Sequence, residues 1–129
     1  METEKSERPL SPHLTIYRPQ FTSVLSILHR ITGLSLAFST FLVVFWFVSI
    51  ALGKTYYLAY STFILSKPVQ LLLILSIWAI WYHTCTGIRH LFWDCGLGLQ
   101  LEWIGPSSFV ILVFSTGLSI FTIYFGWFY

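Results

Sequence analysis

Trp81-Tyr-His-Thr-Cys-Thr-Gly-Ile-Arg-His-Leu-Phe-Trp-Asp94 closes an apolar run that begins near Val69. Two histidines, an arginine and an aspartate therefore stand within, or at the edge of, a segment that otherwise reads as membrane-embedded. An ionisable group at membrane depth costs on the order of 3 kcal/mol or more, so each one is a functional hypothesis by default. On a helix, steps of four and three residues return to one face, and His83, Gly87 and His90 form a stripe. A neutral imidazole offers a lone pair to an iron, and a glycine one turn away removes the side chain that would obstruct a flat ligand. The stripe is a candidate haem site.

The composition points the same way. The chain has 129 residues, of which 56% are hydrophobic, 19% aromatic and 9% charged. A soluble domain carries roughly a quarter charged residues, so this chain lacks an ordinary solvated surface. The reading is a small all-α integral membrane protein, its aromatic residues suited to the interfaces. The net charge of +2 comes from few, scattered basic residues and does not suggest nucleic acid. Cys85 and Cys95 make no disulfide framework and read as small packing residues. There is no catalytic triad, phosphate loop, metal-type cysteine cluster or dinucleotide fingerprint.

Met1–Gln20 has no apolar core of signal-peptide length, and Glu2, Glu4 and Glu7 are out of place in a mitochondrial presequence. Pro9, Pro12 and Pro19 forbid a continuous helix, so residues 1–20 are expected to be extended along the membrane surface. A three-span anchor domain is expected over residues 21–129. Its first span runs from about 22 to 52, with no charge after Arg30, long enough to cross a hydrocarbon core of about 30 Å. A connector with Tyr56, Tyr57 and Tyr60 follows, helical in part. The second span, 68–93, opens at Pro68, a residue suited to a first helical turn. Glycines 96, 98 and 105 break the second connector, and the third span runs 106–127. Ser115, Gly117 and Ser119 there permit close helix packing. Lys5, Arg8, Arg18, Arg30 and Arg89 outnumber Lys54 and Lys67, placing the N-terminus on the cytoplasmic or matrix side.

Two constellations carry chemistry. Ser26 and Arg30 share a helical face, with His29 beside them. A hydroxyl and a guanidinium supply the donors a quinone needs for its carbonyl oxygens. Singly, Arg30 reads as a snorkelling anchor and Ser26 as a serine bonded to its own backbone. The second constellation is His83 with His90, about 10 Å apart along the axis, too far for one iron. No other span is expected to carry a histidine at the depth of His83, so a second haem ligand must come from a partner chain. His29, Arg30, His90 and, ranked below them, Arg89 are candidate contacts for haem propionates. A lone membrane histidine can also simply bond a neighbouring helix.

Three segments together carry a family resemblance: Arg8-Pro-Leu-Ser-Pro-His-Leu-Thr-Ile-Tyr17, Ser26-Ile-Leu-His-Arg30 followed by Thr32-Gly33, and His83-x-x-x-Gly-Ile-Arg-His-Leu-Phe-Trp-Asp94. In this order the chain resembles, over its whole length, the cytochrome b556/b560 large membrane-anchor subunits of succinate dehydrogenase, respiratory complex II of the tricarboxylic acid cycle. The resemblance implies three transmembrane helices forming half of a haem-binding bundle with a second, smaller anchor subunit. It implies docking of an iron–sulfur subunit and a flavoprotein, with electrons passing from succinate through FAD and iron–sulfur clusters to ubiquinone. The chain itself would not oxidise succinate. The implied site residues are His83 as axial ligand of haem b, and Ser26 and Arg30 at the quinone. A bacterial cytoplasmic or mitochondrial inner membrane is implied, and the short acidic tail favours a bacterial or organelle-encoded chain. A quinol:fumarate reductase anchor and a cofactor-free structural anchor are the alternatives. The second leaves the His83 stripe and the Ser26–Arg30 pair unexplained.

Overall fold

The computed structural model describes residue 13 and residues 16–128, with side chains as far as Gly126. Most of the expected extended segment 1–20 lies outside the described residues. After a turn at Ile16 the chain runs irregularly to Gln20, whose backbone is extended, and the Tyr17 hydroxyl hydrogen-bonds with that of Ser23 (2.7 Å). The described residues form helices α1 (Phe21–Leu52), α2 (Lys54–Ile64), α3 (Lys67–Asp94) and α4 (Leu101–Phe128). α1, α3 and α4 are long and apolar enough to cross a membrane. The all-α, three-span reading of the sequence therefore agrees with the structure.

Local chemistry explains the breaks. Gly53 has φ 102°, a value that L side chains rarely adopt, and it separates α1 from α2. α2 takes up most of the first connector. Pro68 stands in the first turn of α3, where its missing N–H is no loss. α3 ends in a Schellman motif. Gly96 (φ 76°) donates to the Trp93 carbonyl (2.8 Å), and Leu97 donates to that of Phe92 (2.9 Å). α4 begins at Leu101, five residues before Pro106. The proline deprives the helix of only one N–H, near its interfacial end, and the helix continues through it.

α3 is the central helix, packed on one side against α1 and on the other against α4. The interior is more polar than the exterior. Among the described residues the buried apolar side chains are Leu25, Val69, Ala79 and Tyr82, whereas Phe38, Phe41 and Phe109 are exposed. Small hydroxyl residues fill the seams. Ser39 of α1 bonds with Ser76 of α3 (2.8 Å), and Ser108, Ser115 and Ser119 form a buried stripe on α4. Trp78 and Trp81 of α3 donate to Thr116 and Thr122 of α4 at 3.2 and 2.9 Å. This inversion suits a lipid solvent, in which close contact and interhelical hydrogen bonds replace the hydrophobic drive between helices. Gly117, expected in a packing seam, faces outward; a Cβ there would meet nothing within 4 Å.

Candidate functional site

The end of the bundle where α1 begins and α3 finishes gathers the ionisable residues. α1 brings His29 against α3. The His29 and His83 rings stack with centroids 4.0 Å apart and planes 8° apart, and His29 also lies 5.1 Å from the His90 ring. The expectation that no other span carries a histidine at the depth of His83 is corrected here. Sequence distance hid it: His29 stands about two turns inside its helix, and the crossing of α1 on α3 decides which depths meet.

His83 is held on one edge. Its Nδ1 donates to the His29 carbonyl (3.1 Å), with the Thr32 hydroxyl 3.3 Å away and itself donating to that carbonyl (2.8 Å). A carbonyl only accepts, so Nδ1 carries the proton, and in the neutral ring the lone pair is on Nε2. Nε2 has no hydrogen-bond partner among the described residues. Fixing one ring nitrogen to orient the other is the arrangement found around metal-bound imidazoles. The close approach requires Gly33: a Cβ there would lie 2.9 Å from His83 Cε1. Gly87, one turn along the stripe, borders open space.

His29 is fixed in turn by Thr86, which is 1% exposed. The Thr86 hydroxyl directs its proton to the carbonyls of Tyr82 (2.7 Å) and His83 (3.0 Å), and it accepts from His29 Nδ1 (2.5 Å). Tyr82, fully buried, donates to the Leu25 carbonyl (2.9 Å) and pins α3 to α1 just below the histidines. Thr32, Gly33 and Thr86 were not singled out from sequence as site residues. Thr32-Gly33 stood only as part of a motif, and a threonine in an apolar helix carries no signal of its own.

Beside the histidines lies an open cavity of about 510 Å³, bordered by Tyr17, Ser26, His29, Arg30, Arg89 and His90. Ser26 and Arg30 are exposed on its α1 wall and His90 is half-buried on α3. Four of the five candidate residues thus share one cavity, and His83, which does not line it, stacks on the His29 ring. Arg89, ranked lowest from its angular position, also borders the cavity: it reaches toward α4, donates to Ser108 Oγ (2.5 Å) and covers the Trp93 ring (4.5 Å).

Three apolar spans around a hydroxyl-rich seam, with stacked histidines and a polar cavity at one end, define a multi-pass helical membrane protein with a candidate ligand site at one interface. Residues 4–122 match the succinate dehydrogenase/fumarate reductase transmembrane subunit family, and the chain belongs to that family. It is similar to proteins named succinate dehydrogenase cytochrome b556 subunit from Rickettsia bellii (40% identity, covering 92% of this chain and 90% of the relative) and Paracoccus denitrificans (34%, covering 95% and 94%). It is likewise similar to the succinate dehydrogenase cytochrome b560 subunit of Marchantia polymorpha (39%, covering 92% and 90%).

Proposed function

We propose that this chain is the larger membrane-anchor subunit of a succinate:ubiquinone oxidoreductase, binding haem b together with a partner anchor and contributing to the site of ubiquinone reduction. The observation that carries the reading is the His83 ring, whose Nδ1 is committed to the His29 carbonyl while Nε2 keeps its lone pair and has no partner among the described residues. The donor set fits a haem iron: an imidazole oriented through Nδ1, with Gly87 one turn along the same helix carrying no side chain into open space. Haem b bound there would supply a one-electron carrier within the membrane. His83 would hold the haem iron from this chain through its Nε2. His29, Arg30 and His90 are the donors available to propionates, and Ser26 and Arg30 those available to a quinone carbonyl. The cytochrome b names of the relatives support the haem assignment.

The partners are a second small anchor supplying the other axial ligand, an iron–sulfur subunit docked over the cavity, and a flavoprotein beyond it. Arg30 and Arg89 border the cavity, and with the excess of basic residues in the N-terminal sequence they support a cytoplasmic or matrix-side orientation of that end. The test is a dithionite-reduced minus oxidised visible spectrum of the complex purified in mild detergent, for wild type and His83→Ala. A b-type α-band present in the wild type and absent in the variant is expected. An intact wild-type complex without the band refutes the haem reading.

A further inference from the structure

We infer that Arg89 is a second cation of the Ser26–Arg30 cavity and stabilises the negative charge that develops on a quinone oxygen during reduction; the inference rests on the quinone reading above. A guanidinium offers five N–H donors. Among the described residues Arg89 uses one, from Nη1 to Ser108 Oγ, and its buried Nε has no partner. Asp94 and Glu102, the two acidic residues described, make no ion pair with it. A half-buried charge near the interfacial end of a span, with no counter-ion among the described residues, is costly, and such charges are functional hypotheses.

The holder of that charge is built. Ser108 is 0% exposed and donates its own proton to the Ile104 carbonyl (2.7 Å), which leaves its lone pair to Arg89. The Trp93 face lies under the guanidinium, and the Trp93 ring meets the His90 ring edge-on at 5.1 Å. Arg89 therefore borders the cavity from α3, with Ser108 and Ile104 of α4 completing that wall, while Ser26 and Arg30 stand on α1. Reduction of a quinone takes two electrons, here from succinate oxidation in the same complex, and two protons from the aqueous side, giving the quinol. The first electron places negative charge on a ring oxygen before a proton reaches it. A cation fixed in advance, in a medium of low dielectric, lowers the energy of that charge without reorganising.

The experiment measures quinone-dependent turnover as a ratio to succinate oxidation by an artificial acceptor, in assembled complexes carrying Arg89→Gln, Arg89→Lys and Ser26→Ala. Arg89→Gln is expected to lower the ratio on the order of tenfold to a hundredfold, in kcat more than KM, because the interaction strengthens as charge develops. Arg89→Lys retains the charge and is expected to stay near wild type. A wild-type ratio in Arg89→Gln, or equal losses in the Gln and Lys variants, overturns the inference. If Arg89→Gln does not assemble, Ser108→Ala replaces it: loosening the guanidinium is expected to lower the same ratio, and an unchanged ratio overturns the inference. Ser26→Ala separates the two readings. A loss there with normal Arg89→Gln sinks only the role of Arg89, whereas normal turnover in both sinks the quinone site itself.

Discussion

The rings of His29 and His83 lie face to face, 4.0 Å between centroids, although 54 residues separate them in the chain. Stacked imidazoles present their nitrogens side by side. Two axial ligands must instead approach an iron from opposite faces of a macrocycle. His29 is therefore a wall and anchor for His83, and on the haem reading proposed above a second ligand would come from another chain.

Gly33 sets the distance between α1 and the His83 ring. In Gly33→Ala the new Cβ would sit 2.9 Å from Cε1, and the ring must shift. Loss of an orienting contact around a metal ligand costs about 10–100-fold in affinity. The haem α-band of the assembled complex is expected to weaken or shift, and a wild-type spectrum would remove Gly33 from the site.

Thr86 holds the His29 N–H within the α1–α3 seam. Thr86→Val leaves that donor without a partner, at a cost of about 1–3 kcal/mol. Thr86→Ser keeps the hydroxyl. Thermal denaturation of the detergent-solubilised complex should show the Val variant melting earlier and the Ser variant close to wild type.

Ser26→Ala and Arg30→Ala remove donors from the cavity without touching the packed seam, since both side chains are exposed on α1. Removing one preorganised donor costs on the order of a hundredfold in a well-built site. Quinone reduction is expected to fall steeply in each, with the haem band unchanged in Ser26→Ala. Parallel loss of quinone-dependent and acceptor-dependent succinate oxidation in an assembled complex would point to damaged docking instead.

The seams differ in what they tolerate. Ser39→Ala removes one interhelical hydrogen bond in the membrane, worth about 0.6 kcal/mol, and should barely move stability. Ser115→Leu places a large side chain where 0% of the serine is exposed. Overpacking there is expected to cost about 1–3 kcal/mol or to part α3 from α4. Comparing the unfolding temperatures of the two variants tests this ranking.

Hydropathy settles most of the architecture before any coordinates. Three long apolar runs, the second interrupted by Arg89 near its end, Pro68 in a first turn and Gly53 and Gly96 at breaks are local facts, and local chemistry makes helices and ends them. The serine of Ser26-x-x-x-Arg30 and the histidines of His83-x-x-x-Gly-x-x-His90 were legible for the same reason: each pair lies on one helix, where spacing alone gives the face. What crosses from one helix to another was not legible. That His29 meets His83, that Thr86 rather than a charged residue holds it, that Gly33 admits the ring, and that Arg89 turns to Ser108 on α4 all depend on the axial offset and crossing of packed helices. Those quantities come from the fit of many small side chains at once, because in lipid no apolar face directs a helix toward its neighbour and close packing chooses the register.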